Sequence, residues 1–137
     1  MERYRVLSHT ADTGIEASAA TLNQLIERLA FGMFDLMFDL DSLEPVEWLT
    51  TSIEASTVDD LVVDVLSELL YLSEVNDFAA CAIVVETDGH TNARVRAGGI
   101  PAREAELRGP PIKAVTYHQL AISESDDGWH GRVIFDV

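Results

Sequence analysis

The chain has 137 residues, 47% of them hydrophobic, which suits one domain with its own core rather than two. Its 24 acidic residues against 9 basic ones give a formal charge of −15, so direct binding to a phosphate backbone is disfavoured and any link to nucleic acid is expected to run through a partner protein. A lone cysteine, Cys81, excludes an intrachain disulfide framework and a thiolate metal site, and no apolar run is long enough to cross a bilayer.

The first residues lead into strand-like sequence without an apolar signal-peptide core, which gives the expectation of a cytoplasmic protein. Tyr4 to Ser8 reads as a first strand and residues 14–18 as a second, with residues 9–13 connecting them. Thr21-Leu22-Asn23-Gln24 matches a capping box, so a helix should start there. Behind it Leu22, Leu25, Ile26, Leu29, Ala30, Met33, Phe34 and Met37 recur at three- and four-residue spacing, the mark of one apolar face docked on a core. Residues 46–54 follow Pro45 and read as a third strand. A second helix begins near Thr57, where Asp59 and Asp60 suit the positive end of its dipole, and Leu61, Val62, Val65, Leu66, Leu69 and Leu70 form its apolar stripe.

From Cys81 the texture turns to strands, and Cys81 itself reads as a small buried hydrophobe. Residues 82–87 and 92–97 flank the turn dipeptide Asp88-Gly89, and residues 113–123 and 129–135 flank Asp126-Asp127-Gly128. Between these hairpins, residues 98–111 hold Gly98, Gly99 and three prolines and should leave the sheet. The expected architecture is a single α+β domain over residues 1–137, with a mixed β-sheet, two helices packed on one face, and the order β-β-α-β-α-β-β-β-β.

The familiar signatures of nucleotide binding, serine hydrolysis and zinc proteolysis are missing. Asp35, Asp39 and Asp41 crowd the end of the first helix, but Leu43 and Glu44 stand where an EF-hand loop needs a ligand and a glycine. His9, His90, His118 and His130 are scattered rather than spaced as zinc ligands.

Three segments remain: His9-Thr10-Ala11-Asp12-Thr13-Gly14, Lys113-Ala114-Val115-Thr116-Tyr117-His118 and Ile134-Phe135-Asp136-Val137. If the last strands lie beside the first, their polar residues converge on one sheet end and offer the carboxylates of Asp12, Asp136 and the α-carboxylate of Val137 to a hard divalent cation. Each segment also has a plainer explanation. Asp12 could cap a turn, Lys113 could pair with a carboxylate, and Tyr117 and His118 could simply alternate across a strand.

Taken together, these segments resemble the archease family over essentially the whole chain. The likeness also includes Gly32-Met33-Phe34 and Leu66-Ser67-Glu68-Leu69-Leu70; Val65 departs from it, since many relatives carry tryptophan there. The resemblance implies an accessory protein, not an enzyme, that promotes guanylylation and multiple turnover of an RtcB-type RNA ligase in tRNA splicing or RNA repair. It also implies a divalent-cation site, usually calcium, with Mg²⁺ or Mn²⁺ as substitutes. Carried onto this sequence, the ligands are Asp12, Asp136 and Val137, the last through a main-chain or terminal oxygen. His9, Lys113, Thr116 and His118 become candidates for organising that surface or meeting the ligase. Two rivals are a metal-assisted hydrolase with His118 as general base and a general chaperone with an exposed apolar surface.

Overall fold

The computed structural model describes residues 4–8 and 12–137. In chain order the elements are β1 (Tyr4–Ser8), β2 (Asp12–Ala19), α1 (Leu22–Met37), β3 (Glu47–Glu54), α2 (Val58–Asn76), β4 (Phe78–Asp88), β5 (Asn92–Pro101), β6 (Ala114–Ser125) and β7 (Gly128–Asp136). The α+β class and the order of nine elements match the sequence reading, with a short 3-10 turn at Ala102–Glu104 in addition.

Both helices start where their caps dictate. Thr21 Oγ1 accepts the Gln24 amide at 3.2 Å, and Thr57 Oγ1 accepts the Asp60 amide at 3.1 Å. The apolar stripe of α1 is buried from Leu22 to Met37, and each fully buried Leu, Ile or Phe contributes about 1.5–3 kcal/mol. Helix α2 stops at Asp77, whose backbone turns left-handed (φ 50°) and whose carboxylate pairs with Arg103.

Among the described residues the strands form not one mixed sheet but two sheets, ordered β1-β2-β7-β6 and β3-β5-β4, with every pairing antiparallel. Nor do the helices cover one common face. Helix α1 packs on β2, β7 and β4, and α2 on β6 and all three strands of the second sheet, so the helices join the two sheets around one core. Hairpins alone connect neighbouring strands locally, and the chain order offers no periodic signal for where one sheet stops and the next begins.

Residues 98–111 do not all leave the sheet: β5 continues through Gly98 and Gly99 to Pro101. These glycines serve close approach rather than turning. The indole of Trp48 lies where a Gly98 side chain would project, 2.7 Å from that position, and a side chain on Gly99 would strike the Ala79 carbonyl. Strand β4 begins at Phe78 and bulges between Ala80 and Ala82, which leaves Cys81 half-buried rather than enclosed. Burial still pushes its thiol above the ordinary range.

The acids at the end of α1 serve as an anchor. Arg108 Nη2 lies 3.3 Å from both Asp35 and Asp39, and the Tyr4 hydroxyl donates to Asp35, which ties β1 to α1. Burial and the Asp35 contact push the Tyr4 phenol well above its usual range.

Candidate metal centre and its flanking bulge

Strand β2 is two residues longer at its start than its sequence pattern suggests, and this places Asp12 inside the ladder. Asp12 is the direct partner of Asp136 on β7, and Ala114 of β6 stands opposite Asp136 on the other side. Directly opposed residues share one face of a sheet, so the two carboxylates project together at the end of the four-stranded sheet. Asp12 is half-buried and Asp136 exposed. Two like charges in this position repel each other and favour a cation between them.

The chain around them is held by its backbone. Lys113 donates its amide to the Asp136 carbonyl at 2.7 Å, and Val137 is half-buried against the core. The next row on the same face is Gly14, Ile134 and Thr116. A side chain on Gly14 would sit 2.6 Å from Ile134 Cδ1 and 2.7 Å from the Val133 carbonyl oxygen, so only glycine lets β2 and β7 close up beside the acidic pair.

The remaining site candidates separate. Lys113 serves the acidic row through its backbone amide, and the residue also borders a cleft of about 260 Å³ with Tyr71 and Glu74 of α2. His9 lies outside the described residues. Among the described residues no group of three or more His, Cys, Asp or Glu side chains is placed to hold a metal, and the acidic row offers two carboxylates, Asp12 and Asp136. A pair of carboxylates with a carbonyl or carboxylate oxygen of Val137 fits a hard cation such as Ca²⁺ or Mg²⁺.

Tyr117 and His118 do not alternate across a regular strand. Thr116 pairs with Ile134 and Ala121 with Arg132, so residues 117–120 of β6 stand against Val133 alone. Gln119 takes a positive φ of 52° at the crest of this bulge, and Tyr117, His118 and Gln119 are all exposed. Side chains pin it. Thr116 Oγ1 donates to the Ile134 carbonyl at 2.9 Å and accepts the His118 amide at 3.2 Å, and Arg132 Nε donates to the Gln119 carbonyl at 3.0 Å. The Tyr117 hydroxyl donates to Asp60 Oδ1, in the first turn of α2, at 2.6 Å. That bond pushes the Tyr117 phenol up to about 12.

A second polar cluster lies toward the other end of the sheet. His130 sits between Ser18, 2.8 Å from Nδ1, and Asp127, 3.0 Å from Nε2, and Ser125 donates to Asp127. These bonds fasten the β6–β7 turn to β2, and the Ser125 and His130 contacts hold the exposed Asp127 carboxyl below its usual range.

Sequence reasoning named Asp12, Asp136 and Thr116, which the ladder brings to one face of the sheet end, and did not name Asp60 and Arg132 as supports of the adjoining bulge. Their only sequence signals were an acid in a helix's first turn and an arginine in a strand, and neither names its partner.

Similar proteins agree with this architecture. The model of the archease protein family (MTH1598/TM1083) matches residues 4–137. The chain is 32% identical to the protein archease of Methanosarcina barkeri, over 99% of this chain and 97% of that one. It is 30% identical to the protein archease of Thermococcus gammatolerans, with each chain covered completely. Its fold is similar to the solution structure of Methanobacterium thermoautotrophicum protein 1598, with a TM-score of 0.83, 26% identity and complete coverage of both chains. A Thermotoga maritima crystal structure described as an archease, possible chaperone, shares the fold with a TM-score of 0.65 and 22% identity over 97% of this chain and 96% of that one. The chain belongs to the archease family.

Proposed function

We propose that this protein is a divalent-cation-binding accessory factor that activates an RtcB-type RNA ligase, promoting the ligase's guanylylation and multiple turnover in tRNA splicing or RNA repair. The observation that carries this reading is the opposition of Asp12 and Asp136 on one face of the sheet end. Asp12 and Asp136 hold the cation through their side chains and Val137 through a main-chain or terminal oxygen. Calcium is the preferred ion, with Mg²⁺ or Mn²⁺ able to replace it.

A calcium ion takes about six to eight oxygen ligands, so this small donor set leaves positions for oxygens of the partner. When bound, the ion supplies positive charge at an otherwise acidic surface. The chain's own residues hold the two carboxylates in register, through the β2–β7 ladder, and brace the neighbouring strand through Lys113 and Thr116. The protein performs no ligation itself, acts in the cytoplasm and does not bind RNA directly, in keeping with its charge of −15. Among the described residues no helix is long and apolar enough to cross a membrane.

The test is ligase guanylylation and turnover with a cognate RtcB-type enzyme, with and without this protein, across Ca²⁺, Mg²⁺ and Mn²⁺. A substoichiometric amount should convert a stalled ligase into a multiple-turnover enzyme, and Asp12→Ala or Asp136→Ala should abolish this. Identical rates with and without the protein in all three ions would overturn the reading. Turnover of RNA by the isolated protein would instead make it an enzyme.

A further inference from the structure

The bulge in β6 takes residues 117–120 out of register, puts a non-glycine residue at positive φ, and is nevertheless fastened by side chains from β6 and β7 and by a bond to α2. A protrusion built at such cost on the strand that pairs with Asp136 is a way to re-aim side chains beside a site. What it displays is His118. Thr116 accepts that residue's amide, while its exposed imidazole makes no hydrogen bond among the described residues.

We propose that Tyr117 and Asp60 are positioning residues for the ligase-contacting surface: their phenol–carboxylate bond fixes the bulge so that His118 is presented in one geometry to the ligase. The proposal rests on the reading that this protein activates an RNA ligase. Three features support it. Asp60 is itself fixed, since Thr57 caps the same turn through the Asp60 amide at 3.1 Å, so the bond ties the bulge to a rigid helix start. The Tyr117 ring stays exposed while its hydroxyl is occupied, which leaves aromatic surface free beside His118, and tyrosine is enriched at energetic centres of interfaces. The raised phenol keeps its proton, and hence its donor role, throughout the neutral range.

Pre-organisation of this kind lowers the ordering cost of association, so its loss should weaken the encounter with the ligase without altering the cation site. The experiment compares wild type, Tyr117→Phe and Asp60→Asn as full chains with a cognate ligase at saturating Ca²⁺. It reads the activator concentration for half-maximal stimulation, the maximal turnover, Ca²⁺ affinity by calorimetry, and amide exchange at residues 117–120. Tyr117→Phe should raise the half-maximal concentration about tenfold, the scale of one hydrogen bond to a charged group. Maximal turnover and Ca²⁺ affinity should stay as in wild type, and exchange in the bulge should accelerate. Asp60→Asn, which keeps an acceptor oxygen, should recover most of the wild-type behaviour.

Unchanged exchange in Tyr117→Phe would overturn the latch whatever the ligase does. Faster exchange with an unchanged half-maximal concentration would overturn its role in ligase contact, and so would a loss of Ca²⁺ affinity in parallel with stimulation. Absence of stimulation by the wild-type protein would overturn the parent reading, and this one with it.

Discussion

Asp12 and Asp136 come from opposite ends of the chain and stand directly opposite each other across the β2–β7 ladder. Two carboxylates so opposed repel each other when no cation is present, and under the proposed function a bound cation turns them into a pair of ligands. Their effects on stability should therefore have opposite signs in the two conditions.

In chelator at low salt, Asp136→Asn should be more stable than wild type by a few tenths to about 1 kcal/mol, the scale of a cross-strand charge pair. In saturating Ca²⁺ the order should reverse, because wild type alone gains stability from binding. Thermal unfolding of both proteins in each condition checks this, and a variant that is less stable in chelator as well would mean the two acids are not in repulsive contact.

Gly99→Ala should destabilise the fold by at least about 1–3 kcal/mol, since the new methyl group meets the Ala79 carbonyl and the β4–β5 ladder must shift to admit it. Gly89→Ala meets no atoms and tests only the positive φ of 69° at a turn, so its cost should be smaller. Denaturant titration ranks the two; an equal cost would show that packing at Gly99 is unimportant.

The Tyr117 phenol ionises higher in the folded chain, at about 12, than its ordinary 10.0, because of its hydrogen bond to Asp60. A group raised on folding contributes stability that is fully present below pH 10.0 and is lost as pH rises through about 12. Wild type should accordingly lose stability relative to Tyr117→Phe over that window and not below it. The difference in phenolate absorbance between the two proteins locates the ionisation directly. A Tyr117 titration near the ordinary value would mean the Asp60 bond does not persist in solution.

Filter-binding with single-stranded and hairpin RNA should detect negligible association at physiological salt, because the chain carries 24 acidic residues against 9 basic ones. Tight, salt-sensitive binding would show that Arg94 and Arg96, neighbours on one face of β5 with Arg96 stacked over Trp48 at 4.8 Å, outweigh the net charge.

Helix placement was legible because both helices have a threonine cap and a period that continues for several turns. The acidic pair was legible only through the combination of three distant segments, since neither Asp12 nor Asp136 has a local signature. The bulge was not legible at all. Lys113-Ala114-Val115-Thr116-Tyr117-His118 looks like an ordinary strand, and what displaces it is a register mismatch with β7 together with contacts from Arg132 and Asp60, each distant in sequence. Likewise, Gly98-Gly99 carries the usual composition of a loop, and only the ring of Trp48 and the carbonyl of Ala79 reveal that these glycines are making room.

The bulge has one more consequence, for solubility. Strand β6 is an outer strand of its sheet, and a straight outer strand is an open template on which another chain can add its own backbone. Displacing residues 117–120 interrupts that template partway along. A chain lacking the extra residues would have a longer regular outer strand, the kind of edge on which strand-by-strand addition occurs.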